Sequence, residues 1–207
     1  MTKKEEIFTI KAFSESKFKE KGSQFIGQAY PIESNEDFNR IYSEVKKKFY
    51  DASHHCYAYR LVNGEFKYSD AGEPNGTAGI RLLNAIDHYE LTNVSVIVIR
   101  YFGGTKLGVG PLGKAYYSSA ESTLKSAEKI KKIAFQKIFI KADFSLSSLI
   151  HKTIADFEMK ILNTQFIDDV NFTCLVKPGL IENLKDYLKE KSSGAVIISS
   201  EEEIQYL

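Results

Sequence analysis

The apolar positions change period several times along the chain, and each change marks an element. Residues 7–13 alternate loosely and read as a strand, and residues 23–30 read as a second strand ended by Pro31. Between them Ser16-Lys17-Phe18-Lys19-Glu20-Lys21-Gly22 reads as a basic loop. After Pro31 the period lengthens. Ser34 takes an N-cap position with Asp37 three places on, and Phe38, Ile41, Tyr42, Val45 and Phe49 fall on one helical face. Alternation returns in residues 55–61 and 65–69, which flank Val62-Asn63-Gly64 as a hairpin. Residues 77–89 read as a helix, with Ile80, Leu83, Ala85 and Ile86 mostly inward. Residues 93–101 are a nearly unbroken run of β-formers, as expected at the centre of a sheet. A further helix has Pro111 near its first turn and runs to about Lys129.

Lys129-Ile130-Lys131-Lys132 reads as a junction. Beyond it the pattern predicts a strand (134–142), a helix (145–157), two strands (159–166 and 170–176), a helix (178–191) and a strand (195–204). This β-α-β-β-α-β order is the split βαβ of ferredoxin-like domains. Leu149, Ile150 and Thr153 place one helix on such a sheet, and Ile181, Leu184 and Leu188 place the other. The chain therefore reads as an α+β protein of two domains, residues 1–132 and 133–207, with no internal repeat, low-complexity tract or heptad array.

Composition adds a location. The 207 residues are 43% hydrophobic and 27% charged, as in ordinary globular proteins. No run approaches the ~20 apolar residues of a membrane span. Met1-Thr2-Lys3-Lys4-Glu5-Glu6 is charged and lacks the apolar stretch of a signal peptide, which predicts a cytoplasmic protein with no membrane partner. Cys56 and Cys174 sit in apolar runs far apart, as buried free thiols do. The net charge of +1 points to no nucleic acid by itself. Its distribution says more: residues 1–132 carry 20 Lys and Arg against 16 Asp and Glu, whereas residues 133–207 carry 8 against 11. An anion-binding surface belongs in the first domain.

Glycine sharpens that. Eight of the 13 glycines lie between Gly72 and Gly113, in two loops, Ser69 to Gly79 and Arg100 to Lys114. Glycine is favoured where φ must be positive or a backbone must approach closely, so these loops mark a surface for a partner. Gly108-Val109-Gly110-Pro111-Leu112-Gly113 matches G-x-G-x-x-G, but Asp143 stands well beyond the ~20-residue spacing of a dinucleotide site. No Gly-Lys-Ser/Thr follows, which excludes a Walker A loop. What remains is a glycine turn at a helix N-terminus, suited to a phosphate, with Arg100, Lys106 and Lys114 nearby. Gly103, Gly104 and Gly108 shape that loop. Asp70 is placed to cap its turn, and Glu73 to pair with Arg60 or Arg100. Asp51-Ala52-Ser53-His54-His55-Cys56 offers too few ligands on one strand face for a metal. A Cys56 nucleophile with a neighbouring histidine as base is disfavoured because adjacent strand residues point apart. Tyr57, Tyr59 and Tyr101 are candidates for stacking on bases. No metal, cofactor or catalytic residue is assigned.

The blocks Asp51 to Arg60, Ser69 to Gly79, Leu91-Thr92-Asn93-Val94 and Arg100 to Gly108, with Ser23-Gln24-Phe25-Ile26-Gly27, resemble the IMPACT family, in particular its bacterial YigZ-like members. The resemblance covers roughly residues 16–120. It implies a first domain similar to the second domain of a small-subunit ribosomal protein and to domain IV of elongation factor G. It also implies a ferredoxin-like second domain similar to domain V of that factor. Both comparisons point to RNA or the ribosome, and no catalytic residues come with the family. Eukaryotic relatives regulate translation by binding the activator of a starvation-response kinase and carry an extra interaction domain, so that partner is not carried over. Gly110-Pro111-Leu112-Gly113-Lys114 departs from the expected Gly-Gly-Leu-Val-Arg: Lys114 keeps the charge, and Pro111 removes an N–H donor.

The expectation is a non-enzymatic RNA- or ribosome-binding protein that modulates translation. Arg60, Arg100, Lys106 and Lys114 would meet phosphates, Tyr57, Tyr59 or Tyr101 would stack, and Asp70 and Glu73 would order the loops. The rival expectations are a protein-interaction regulatory module, and a nucleotide-binding enzyme or hydrolase using Asp70 and Glu73.

Overall fold

The computed structural model describes residues 4–207, a mixed α/β chain with two sheets and five α-helices. The charged N-terminal stretch lies partly outside the described residues. Two compact units form, residues 8–131 and residues 4–7 with 132–207. The division falls inside strands β1 (Glu6–Ile10) and β7 (Lys129–Ala142). Residues 129–132 are thus strand where the sequence reads as a junction. The alternation Lys129-Ile130-Lys131-Lys132-Ile133 continues into the ladder, and Ile133 exchanges backbone hydrogen bonds with Leu207.

The first unit holds an antiparallel sheet in the order β2 (Ser14–Glu20), β3 (Ser23–Pro31), β6 (Val94–Tyr101), β4 (His54–Arg60), β5 (Phe66–Ser69). Strand β6 is central because it is buried along nearly its whole length and alternates between two cores. Val94, Val96 and Val98 face helices α2 (Gly79–His88) and α3 (Val109–Ser126). Ile97 and Ile99 face α1 (Asn35–Lys48), whose Phe38 and Val45 pack among Tyr59, Leu61 and Ile26. Ser34 caps α1 by accepting from the Asp37 N–H.

Strand β2 corrects the expected basic loop. Its lysines conceal a period of two: Ser14, Ser16 and Phe18 turn towards α3, and Lys17 and Lys19 towards solvent. Ser16 Oγ meets Thr123 Oγ1 at 2.6 Å, and Phe18 stacks on Phe25. Helix α3 lies so close to β3 that a Cβ at Gly27 would collide with Thr123 Oγ1.

The second unit pairs its strands in the order β8 (Lys160–Phe166), β9 (Val170–Val176), β7, β10 (Ile197–Tyr206), all antiparallel, with β1 also on β7. Helices α4 (Ser147–Asp156) and α5 (Ile181–Lys191) cover one face, packing Ile150, Ile154, Leu184 and Leu188 on Ile138, Ile140, Phe172 and Cys174. Each helix is preceded by a 3₁₀ turn, so α4 and α5 begin a few residues later than the sequence pattern implies. The expectation gave the whole N-terminal segment to the first domain. Residues 4–7 instead group with 132–207, where the Ala134 N–H donates to the Glu5 carbonyl. Among the described residues no helix is long and apolar enough to cross a membrane.

Candidate functional site

The loop from Ser69 to Gly79 is built around Asp70. Its Oδ1 accepts from the N–H groups of Ala78 and Gly79 at 2.8 and 2.9 Å, and its Oδ2 from that of Gly76 at 2.9 Å. Helix α2 has no cap from the side chain at its own N-cap, Ala78, so Asp70 satisfies those donors from a distance along the chain. The turn visits positive φ at Ala71, Gly72 and Gly76. The Cys56 thiol, on the neighbouring strand, donates to the Asp70 carbonyl at 3.0 Å.

This fold carries Glu73 inward. Its side chain is almost wholly covered, and Oε1 accepts from Arg100 Nη1 and Tyr116 Oη, each at 2.6 Å. Arg100 is only 4% exposed. Its Nη2 donates to Ser23 Oγ at 3.1 Å, its guanidinium lies over the rings of Phe25 and Phe102, and its Nε–H is buried without a hydrogen-bond partner. Ser23 Oγ also accepts from the Gly103 N–H at 3.2 Å. A Cβ at Gly103 would run into the backbone of Gly22 and Ser23, so the second glycine loop seats directly on the β2–β3 turn. His54 completes the group. Its Nδ1 lies 3.0 Å from the Ala71 carbonyl, an acceptor that requires Nδ1–H, and its Nε2 stands 3.8 Å from Glu73 Oε1.

Of these side chains His54, Glu73 and Arg100 line a cleft of about 380 Å³ walled by Phe102, Leu107, Val109 and Leu112, with Lys106 among its lining residues. That size falls within the range of small-ligand pockets. The N-terminus of α3 opens onto it through Gly108 and Val109. Gly108 holds φ at +87°, and no side chain caps the helix. Glu73 already neutralises Arg100, so the net positive character of the cleft comes from Lys106 and the free backbone donors. Burial pushes the Cys56 thiol up to about 12, and burial likewise raises Tyr116 far above the ordinary phenol range. Neither ionises near neutrality. Among the described residues no group of three His, Cys, Asp or Glu is placed to hold a metal ion.

The structure divides the residues singled out from sequence. Arg100, Lys106, Glu73 and Gly108 meet at the cleft. Gly103 and Gly104 form the loop that carries Lys106, with φ of +83° at Gly104. Lys114 is exposed in a separate hollow farther along α3. Arg60 is removed from the cleft: it lies at the opposite end of β4 from His54 and forms a bidentate pair with Asp87 at 2.6 and 3.0 Å. The tyrosines do not join it either. Tyr59 is 1% exposed, its hydroxyl donating to Glu65 and placed on Asn35, so its ring is closed to a base. Tyr57 packs on Phe38 and Tyr42 on the α1 face, and Tyr101 donates to Asp51 on that same face. His54, Ser23 and Tyr116 reach the site without having been assigned to it. His54 lies in a conspicuous histidine pair, but its contact with the 69–79 loop depends on how that loop folds back. Ser23 opens the Ser23–Gly27 block that carries the family resemblance, but nothing in the local sequence points it or Tyr116 at Arg100 and Glu73.

A two-unit α+β protein with a cation-lined cleft beside the glycine loops of its first unit is the class defined by these observations. The family model described as "Impact N-terminal domain" matches residues 21–124, half of the chain and all of the cleft. The chain belongs to the IMPACT family. It is 31% identical over 184 residues to an IMPACT family member of Haemophilus influenzae, covering 86% of this chain and 88% of that one. It is 25% identical to the IMPACT family member YigZ of Escherichia coli, covering 88% and 92%. A solved structure described as a hypothetical protein matches its fold with a TM-score of 0.70 at 24% identity, covering 97% of this chain and all of that one.

Proposed function

We propose that this protein binds RNA or the ribosome without chemistry of its own and thereby modulates translation. The observation that supports this most is the cleft mouth. Lys106 and the uncapped N-terminus of α3 face solvent over a buried, self-neutralised Arg100–Glu73 pair. That arrangement suits a phosphodiester, which needs positive character at the surface and a rigid floor beneath it. In this reading the first unit is a counterpart of elongation-factor domain IV, and the β-α-β-β-α-β order of the second is ferredoxin-like. The test is co-sedimentation with ribosomes and with ribosomal RNA as salt rises. Binding is expected to weaken steadily with salt, and further in Lys106→Ala. Absence of binding at low salt overturns the reading. Arg100→Ala is a poor probe, because it leaves Glu73 buried and unpaired.

One observation favours a second reading, a nucleotide-binding enzyme or hydrolase: His54 Nε2 and Glu73 both line the cleft, and Nδ1 of His54 is held by a backbone carbonyl. Thermal shift against nucleotides and divalent metal ions distinguishes it. A rise in melting temperature that His54→Gln abolishes supports it, and no rise with any ligand removes it.

A further inference from the structure

On α3, just past the cleft, lies a second hollow of about 400 Å³, lined by Arg81, Asn84, Gly110, Gly113, Lys114 and Tyr117. No acidic residue is among them. Arg81 comes from α2 and Lys114 from α3, and among the described residues neither has an ion-pair partner. Two like charges brought into one depression repel each other, and an anion between them reverses that. Asn84 and Tyr117 supply further donors to the same space.

The backbone beneath fits this use. Gly113 lies within α3, where glycine is unfavourable by roughly 1 kcal/mol relative to alanine. A Cβ there would stand 3.3 Å from Arg81 Nε, closer than ordinary packing allows. The missing side chain leaves Arg81 more room against the helix, at the hollow that Lys114 also lines.

We propose that this hollow is a second phosphodiester site. One RNA strand crossing the first turns of α3 then places one phosphate at the Lys106 cleft and a nearby one between Arg81 and Lys114. The two depressions are lined by interleaved residues of the same turns, Val109 and Leu112 for one and Gly110 and Gly113 for the other. A helix with its side chains is only about 10–12 Å across, a span that one flexible strand bridges. This inference rests on the RNA reading above and adds a strand path and two residues, Arg81 and Asn84, to it.

The experiment is fluorescence anisotropy of a labelled ten-nucleotide oligouridylate with the full chain over a salt series, with uridine monophosphate and inorganic phosphate as competitors. Arg81→Ala/Lys114→Ala is expected to weaken binding about tenfold at low salt and to flatten the salt slope by about 0.7 for one lost phosphate. The charge-keeping Arg81→Lys/Lys114→Arg stays near wild type. Both residues are exposed, so a melting curve unchanged from wild type accompanies the loss. Wild-type binding with an unchanged slope in the double alanine variant overturns the second site and leaves the RNA reading standing. Competition by inorganic phosphate or the mononucleotide at concentrations matching the decamer overturns the strand path in favour of a small-anion site. Absence of wild-type binding at low salt overturns both the site and the reading it rests on.

Discussion

Arg100 shows how far a single charge can be misread until its surroundings are known. A cation beside a glycine loop looks like a phosphate ligand, yet here its charge is spent on Glu73. Breaking such a buried pair leaves one charge stranded, so Glu73→Ala is expected to cost about 3–5 kcal/mol in urea unfolding, far more than a surface exchange. The two thiols make a second prediction at this scale. Cys56 and Cys174 are fully buried, with burial raising their thiols to about 12 and about 11. Neither is expected to react with a disulfide reagent in the folded protein, and both are expected to react once it is unfolded. His55 makes a third. Burial is the main cause holding it below its ordinary value of 6.5, although a contact with the Phe49 carbonyl acts the other way. The unfolded chain then binds more protons than the folded one as pH falls through that value. The His55 contribution to stability is therefore complete above about pH 7 and declines on acidification. His55→Gln is expected to show a shallower loss between pH 7 and 5 in thermal melts.

At the scale of elements, loops and helices are joined by groups that no local pattern connects. Asp70 serves α2 from outside the helix, so Asp70→Ala is expected to expose three backbone donors and lower stability by about 2–3 kcal/mol. The accompanying sign is loss of amide protection at Gly76, Ala78 and Gly79. Gly27→Ala is expected to push α3 off β3 at Thr123, an overpacking cost of about 1–3 kcal/mol in the same unfolding assay. Most elements were legible in the sequence. Helix α1 showed its apolar stripe and cap, and β6 its unbroken run of β-formers. Strand β2 was not legible, because lysine and glutamate occupy the solvent side of an edge strand and mask the period of two beneath them. The glycine loops were legible as a candidate site, and the structure places Lys106 and Gly108 on one cleft. The contacts of His54, Ser23 and Tyr116 with the 69–79 loop, Arg100 and Glu73 were not legible, since these side chains come from two strands and a helix that meet only on folding.

At the scale of the molecule, the first unit owns both of its cores and the cleft. A fragment of residues 8–131 is therefore expected to unfold cooperatively and to retain the RNA binding proposed for the cleft, measured by urea titration and anisotropy. The second unit is discontinuous, because residues 4–7 belong to it. A fragment of residues 132–207 lacks the Glu5 carbonyl that receives the Ala134 N–H. It is expected to melt below a version in which residues 4–7 are linked back to its start.

The sequence by itself determined the α+β class, the order of the helices and nearly all the strands, the family, and the location of an unusual surface in two glycine loops. These are local or collinear properties: period, capping, turn chemistry and motif order can all be read along one strand of text. Only the tertiary structure decided which charges remain available. The pairing of Arg100 with Glu73 and of Arg60 with Asp87 removes two cations from the expected set. Burial removes Tyr59, and α2 brings Arg81 beside Lys114. The reason is that a charge or a ring is defined by its neighbours, and those neighbours stand tens of residues away along the chain.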